Sequence, residues 1–371
     1  MRIVFLCGSL EPGCDGVGDY TRRLSGELIG RGYKVGIIAL RDKFTMEEFD
    51  GEQESDGIEI PVLRLPSEWL SIKRFKHAGI WVDDFNPEWL SLQFVPFAFH
   101  PQGLSFKINK ALKRLGKGRR WHIMAHELWV GMDKEASLKF VFWGWLQRQL
   151  IKSLFTKLKP RIIHTQSNLY SKMLEKIGID AKILPLFGNI PLTSNQHIKE
   201  DDIRKKISFV VFGGIHSGAP VKELVNELKL YSISNGIEIF MRIAGRNGRE
   251  QLLWENQCKE VDLPLQISGQ ESPQSISYLL SNSSFGISTT PAFLIDKSGS
   301  VAAMREHSLK ILCVSRDWNP RGIKGIKLPA GVMQYRPGEL EQFIKWDYRS
   351  CNSFNISDVT NQFDTDLLEA I

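Results

Sequence analysis

The stretch CGSLEPGCDGVGDYTRRLSGEL, residues 7–28, follows an apolar run and places Gly13, Gly16 and Gly18 directly ahead of a helical pattern. A strand that passes through a glycine turn into a helix is the opening unit of an α/β sheet covered on both sides. The dinucleotide spacing G-x-G-x-x-G is not met, because Thr21 stands three places after Gly18. A close helix-to-sheet contact of the Rossmann type is therefore not expected here. Two readings of the loop remain. Either the glycines let backbone N–H groups approach a phosphate or sugar at a helix N-terminus, or they only punctuate a turn. Asp19 is the expected cap of the helix.

Outward from this loop the same alternation repeats. Strand patterns fall at 3–7, 34–40, 58–65, 89–95, 122–125, 162–166 and 182–186, with helical patterns at 19–30, 72–84, 105–115, 136–157 and 169–177. After the polar stretch TSNQHIKEDDIRKK (193–206) the series restarts with ISFVVFGG (207–214). Strands are then expected at 238–244, 265–268, 285–288 and 310–314, and helices at 222–234, 249–258, 274–280 and 300–306. The expected fold class is α/β, with two Rossmann-like doubly wound parallel-sheet domains facing across a cleft. Their ligands belong outside the carboxyl ends of the strands. The expected division is an N-terminal domain at 1–190, a linker at 191–206, a C-terminal domain at 207–340, and a segment at 341–371 that packs back on the first domain.

A chain of 371 residues with 42% hydrophobic and 24% charged residues has the composition of a globular protein, which excludes disorder and fibre. Its longest apolar runs, at 140–143 and 209–212, fall far short of the ~20 residues a bilayer-spanning helix needs. MRIVFLCGS is too quickly interrupted for a signal peptide, so a cytoplasmic protein is expected. Five scattered cysteines (Cys7, Cys14, Cys258, Cys313, Cys351) show no C-x-x-C spacing and read as reduced thiols. The formal charge of +6 is unevenly placed: residues 106–160 hold thirteen Lys/Arg against three Asp/Glu. Such a basic segment calls for an anionic partner or is a solvated face.

Four further loops end strands. FGGIHSGAPVKEL sets Gly213 and Gly214 at a strand end with His216 and Lys222 flanking the next helix, where amides and a cation would hold a diphosphate. IAGRNG supplies Gly245 and Gly248. KSGS offers Lys297 with the amides of Ser298, Gly299 and Ser300 at a helix start, and Glu306 two turns on. WHIMAHELWVG places His126 and Glu127 at the carboxyl end of a strand, and FVPFAFHPQG brings Phe97, Phe99 and His100 to another. Each loop also has a plain structural reading as a turn, a cap or a cover for the sheet edge. No H-E-x-x-H, G-x-S-x-G or P-loop motif occurs, so protease, α/β-hydrolase and P-loop chemistry are excluded.

Taken in order, these residues resemble a GT-B glycosyltransferase, and among them the retaining family-four (group 1) enzymes. GVGDYTRRLSGELIGRGYKV is similar to that family's first glycine loop and helix, IMAHELW to its strand-ending histidine, and FGGIHSG, RIAGRNG and KSGSVAAMREHSLKILCV to its later loops. Two departures stand out. Gly214 or Ile215 occupies the place of the family's diphosphate-binding arginine, and of the E-x7-E pair Asp296 lies near the first position while Met304 holds the second. KSGS with Glu306 is similar instead to the R-S-G-A-x-T…E loop of the inverting enzyme that adds N-acetylglucosamine in peptidoglycan synthesis.

The resemblance implies transfer of a sugar from a nucleotide-sugar donor to a hydroxyl acceptor, in cell-surface polysaccharide or glycolipid synthesis. It implies a donor diphosphate on Gly213, Gly214 and the Lys297–Ser300 stretch, with Glu306 at the ribose. Gly16 and Gly18 would close from the other side and His126 would approach the sugar. No metal or other cofactor is implied. Retention would use the leaving phosphate, whereas inversion needs a base, Asp19 or His126. A sugar-nucleotide epimerase of the same fold and a catalytically degenerate binding module are the alternatives.

KEASLKFVFWGWLQRQLIKSLFTKLKP (134–160) has Trp143, Leu146, Leu150 and Leu154 on one stripe, widened by Ile151, Phe155 and Leu158, with Phe142 and Trp145 outside the narrow stripe and Arg148, Lys152 and Lys157 elsewhere. It reads as a sheet-covering helix, or as one that also touches an anionic membrane and a lipid-linked acceptor at its inner face. No nucleic-acid module accompanies the basic segment.

Overall fold

The computed structural model describes residues 1–192, 206–245, 247–325, 327–348 and 354–371. Nearly all of the expected linker, and Cys351, lie outside the described residues. Two compact units form. The first holds Met1–Pro185, Asn319–Ile323 and Ile356–Ile371, and the second Leu186–Trp318 and Lys324–Asn355.

The first unit runs β1 (Arg2–Cys7), α1 (Gly16–Gly30), β2 (Lys34–Asp42), β3 (Phe49–Ser55), β4 (Ile58–Pro66), α2 (Ser71–Phe85) and β5 (Trp89–Phe94). It continues with α3 (Pro96–Phe99), α4 (Ile108–Leu115), β6 (Arg120–Ala125), α5 (Leu138–Leu158), β7 (Ile162–Thr165), α6 (Asn168–Glu175) and β8 (Lys182–Ile183). Its sheet has the order β3-β4-β2-β1-β5-β6-β7-β8. The sheet is parallel, as expected, with one antiparallel pair added at its edge, β3–β4. FDGEQES carries no apolar face, since a polar edge strand is mostly solvated and gives no periodic signal. The central β1 is buried along Ile3–Cys7, as a strand covered on both faces must be.

The second unit contains β9 (Lys206–Phe212), α7 (Val221–Asn235), β10 (Glu238–Ala244), α8 (Gln251–Glu260), β11 (Leu265–Gly269) and α9 (Pro273–Ser281). There follow β12 (Phe285–Ser288), a 3-10 turn (Ala292–Lys297), α10 (Gly299–Glu306), β13 (Lys310–Cys313), β14 (Val332–Gln334) and α11 (Leu340–Lys345). The sheet is parallel throughout, in the order β11-β10-β9-β12-β13-β14. Successive side chains of β9 serve opposite cores: Phe209 and Val211 pack with α7 and α8, and Val210 with α9 and α10. Gly286 of β12 makes room for α10, because a Cβ there would stand 2.5 Å from Met304 Sδ.

Residues 341–371 do not act as one piece. Leu340 and Phe343 of α11 belong to the second unit's core. The last helix, α12 (Ile356–Glu369), belongs to the first unit, where Phe363 is fully buried and stacks on Phe5 at 6.0 Å. Asn319–Ile323 also joins the first unit, as Pro320 bridges to Asp133 and the Arg321 N–H donates to Met132 O at 2.8 Å. On α5 the buried residues are Gly144, Gln147, Ile151, Leu154, Phe155 and Leu158; the last four belong to the expected stripe, whereas Trp143, Leu146 and Leu150 are half-buried. Gly144, by lacking a side chain, admits the Val130 carbonyl; a Cβ there would lie 1.9 Å from that oxygen. Among the described residues no helix is long and apolar enough to cross a membrane.

Candidate functional site

In each sheet the strand order reverses once, beside β1 in the first and beside β9 in the second, and open parallel sheets bind ligands at such points. In the second unit the reversal falls between β9 and β12. Gly213 ends β9 with φ +85°, and Gly245 ends β10 with φ +105°. Both conformations are left-handed ones that L side chains resist. The two turns touch, since a Cβ on Gly245 would lie 3.1 Å from Gly213 Cα. Opposite them, Ser298 caps α10 and accepts from the Val301 N–H, and the Ser298 and Ser300 hydroxyls are 3.1 Å apart. A Cβ on Gly213 would come within 3.2 Å of Ser300 Cβ, so KSGS and FGG form one cradle. Gly214 and Gly299 are open around their Cα atoms: nothing lies within 4 Å of a Cβ on the former, and only Asn189 Nδ2 at 3.9 Å for the latter.

Cations gather at this cradle. The His216 N–H donates to Thr289 Oγ1 at 2.8 Å, which ties the β9 loop to the end of β12. Desolvation, then the charges of Lys297 and Arg316, push the His216 imidazole below its ordinary value. Arg316 escaped the sequence reading although it follows a strand, in the run CVSRDW. It packs on Gly218, where a Cβ would meet its side chain at 3.2 Å. Lys222 stands exposed on the first turn of α7, without a hydrogen bond or ion pair among the described residues. Glu306 is the last residue of α10, and its Oε1 accepts the Gly188 N–H at 2.6 Å.

In the first unit the opening loop differs from expectation. The cap of α1 is Asp15, whose carboxylate accepts from Val17 N–H and Gly18 N–H, and the helix starts three residues before Asp19. Asp19 lies in the first turn, accepts the Gly13 N–H at 3.0 Å and pairs with Arg22. Burial, as the leading cause, raises its carboxyl above the ordinary value. Gly18 serves a close approach of α1 to the loop after β1, since a Cβ there would sit 2.6 Å from Ser9 O. Gly16 has open space around it. The reversal beside β1 is occupied: α3 lies over it, and a Cβ on Gly8 would be 2.6 Å from Ala98 Cβ.

His126, at the end of β6, is buried against the Tyr20 ring at 5.1 Å. It terminates a buried polar chain that crosses three strands. His164 Nε2–H donates to Asp366 Oδ2 at 3.0 Å, so its Nδ1 accepts from His122 Nε2–H at 3.1 Å. His122 Nδ1 accepts the Ser91 hydroxyl at 2.7 Å, and Ser91 Oγ accepts from Gln93 Nε2 at 2.8 Å. Gln93 Oε1 then accepts from His126 Nε2–H at 2.8 Å. One allocation of protons satisfies every link. It leaves the lone pair of His126 on Nδ1, which faces the Gln166 Oε1 oxygen at 3.4 Å, an atom with no proton to give. Both inner imidazoles are held neutral. Burial drives His164 down to about 4 against the pull of Asp366, and burial drives His122 well below its ordinary value.

Glu127, half-buried, follows on the same strand end, its N–H 3.4 Å from Phe94 O. Phe97 is partly exposed, and Phe99 stacks on Phe94. His100 Nδ1 accepts two backbone N–H groups, of Gln102 and Leu104, and so shapes its own turn.

No known protein-family model matches the sequence, and no curated protein matches it. Solved structures do. The apo form of the lipopolysaccharide outer core galactosyltransferase WaaB is 15% identical, with all of both chains covered and a TM-score of 0.59. HepE from Anabaena, in complex with UDP, is 12% identical over all of both chains, with a TM-score of 0.62. A putative UDP-N-acetylglucosamine 2-epimerase from Listeria monocytogenes is 9% identical, covers 98% of this chain and 94% of its own, and has a TM-score of 0.55. At such identities the likeness shows the fold, which is GT-B.

Proposed function

We propose that the chain is a glycosyltransferase that takes a sugar from a uridine diphosphate carrier to a hydroxyl acceptor. The observation that carries this reading is the cradle at the second reversal point: two left-handed glycines, the start of α10, and the cations Lys297 and Arg316 beside His216. Free amides at a helix start and nearby cations offset charge that grows on a leaving diphosphate, with no metal required. The UDP bound to HepE supports uridine as the nucleoside. Glu306, whose Oε1 accepts the Gly188 N–H, is the residue proposed to meet a ribose hydroxyl.

Retention is the favoured stereochemistry. Inversion needs a side-chain base, yet Asp19 is committed to Gly13 and Arg22, and His126 Nε2–H is committed to Gln93 Oε1. With retention the leaving phosphate itself takes the acceptor proton, and His126 Nδ1 would accept a sugar hydroxyl once Gln166 yields its longer contact. Gly16 is the opening-loop residue whose backbone is best placed to meet a ligand, since Gly18 N–H already serves Asp15.

A cell-surface glycan is the proposed product and the inner membrane face the proposed place of work. Leu138, Phe140, Phe142 and Trp145 stand exposed at the start of α5 beside Lys139 and Arg148, which supports contact with anionic lipid. The test is calorimetry with UDP-, GDP-, ADP- and dTDP-sugars on the wild type and on Gly299→Trp. UDP-sugar is expected to bind the former and not the latter, in which a Cβ at Gly299 meets only Asn189 Nδ2 at 3.9 Å. Absence of binding by all four would remove the transferase reading. Epimerisation of UDP-sugar without any acceptor would replace it with the epimerase.

A further inference from the structure

The first unit holds a second feature that the donor site does not use. Beside the reversal point covered by α3 lies a cavity of about 410 Å³, within the ~300–1,000 Å³ range of small-ligand sites. Its walls come from the end of β2 (Leu40, Arg41), the start of α2 (Ser71, Arg74, Phe75) and the loop from α3 to α4 (Phe99–Ile108). The position is the carboxyl end of the sheet, where His126 also lies. Three cations, Arg41, Arg74 and Lys107, line it, and no carboxylate does.

Among the described residues those charges have no anionic partner. The side chains of Arg41 and Lys107 make no hydrogen bond or ion pair among the described residues. Arg74 donates from Nη1 to Leu40 O at 3.0 Å, an uncharged partner, while its Nε is buried without an acceptor. Burial, and after it the charge of Arg41, lower the Arg74 guanidinium from its ordinary value, as expected of two like charges held close without an anion. His100 uses Nδ1 to accept from its own turn, so its Nε2 carries the proton and is a donor. Phe75, Phe99 and the exposed Phe106 supply aromatic faces along the same walls.

We propose that this cavity binds the acceptor, and that the acceptor carries a phosphate or diphosphate ester. Paired guanidinium groups match phosphate oxygens in fork geometry, and the phenylalanines cover the group to which the phosphate is attached. That the ligand is an acceptor rests on the transferase reading; that it is a phosphate ester does not.

Calorimetry on the full chain with UDP saturating separates the two sites. Dodecyl phosphate, below its micellar concentration, is expected to bind at least tenfold tighter than the uncharged dodecyl maltoside. Arg41→Gln with Arg74→Gln should erase that preference and leave UDP affinity unchanged. Should the Arg74 change unfold the chain, Arg41→Gln with Lys107→Gln takes its place, since neither side chain has a hydrogen bond or ion pair among the described residues. Equal binding of the charged and uncharged probes, or full affinity in the folded variants, overturns the proposal. Glycerol phosphate as a third probe separates the sources: affinity equal to dodecyl phosphate upholds a soluble phosphorylated glycan, and weaker affinity upholds a lipid-linked one. If UDP fails to bind the wild type, the transferase reading falls, and the phosphate preference is then judged on these variants alone.

Discussion

The two sheets reverse their strand order in the same way and finish the resulting crevice in opposite ways. Beside β1 the crevice is filled by α3, and Gly8 exists so that Ala98 can reach the strand. Beside β9 it is left bare: Gly213 and Gly214 carry no side chain, and Ser298 and Ser300 present only short hydroxyls. A glycine thus means different things at equivalent places. In the first unit it admits protein, and in the second it leaves room for something that is not protein. The side-chain chemistry follows the same division, with a buried polar chain ending at His126 in one unit and the cations Lys297 and Arg316 gathered beside His216 in the other.

The sharpest way to break this contrast is to fill both crevices. Gly213→Val puts a branched side chain at φ +85° and against Ser300, so UDP affinity measured by calorimetry should fall a hundredfold or more. Wild-type affinity in that variant would erase the distinction. Gly8→Val should cost about 1–3 kcal/mol of stability in urea unfolding through overpacking on Ala98, while UDP affinity stays unchanged.

Acid should separate the units as well. His164 titrates at about 4 when folded and near 6.5 when unfolded, so the unfolded chain binds more protons between these values. Stability must then fall as pH drops from about 6.5 to about 4, by up to ~1.4 kcal/mol per pH unit for this group. His164→Gln should flatten that limb in urea titrations, and an unaltered slope would refute the assignment. In the second unit the sign concerns binding. Burial and the charges of Lys297 and Arg316 hold His216 below its ordinary value, and an anion in the cradle would raise it. Donor affinity should therefore rise, at most tenfold per unit, as pH falls from 7 to 6, with proton uptake visible in buffers of different ionisation enthalpy. Smallest in energy is the tautomer of His126. Nitrogen NMR should find its proton on Nε2, and Gln93→Leu should release that preference; a proton on Nδ1 in the wild type would contradict the buried chain.

Much of the fold was legible in the apolar runs, because strands covered on both faces cannot read otherwise. The polar edge strand β3 was not legible, since an edge needs no apolar face. At the opening loop Asp15 and Asp19 both precede the apolar pattern, and periodicity does not say which carboxylate reaches the first amides. KSGS and FGG were recognisable separately, but their approach depends on the strand order. Arg316 was missed because it lies on a loop with no glycine to draw the eye. His122 and His164 sit within apolar strands, so only their mutual geometry, and the arrival of Asp366, reveals a chain of hydrogen bonds.

That last partner has a consequence for synthesis. Asp366 meets His164 across 202 residues, and Asp364 meets Tyr33 across 331. Everything between Pro185 and the final helix must be translated before the first unit can close, about ten to forty seconds at ribosomal rates. Throughout that interval Phe5 lacks Phe363, and the two histidines lack the carboxylate that orders them. The second unit needs none of α12 and is free to fold first, so the chain is completed from its middle outward. A nascent chain stalled or cut short of Ile356 would present an unfinished N-terminal sheet to chaperones and proteases.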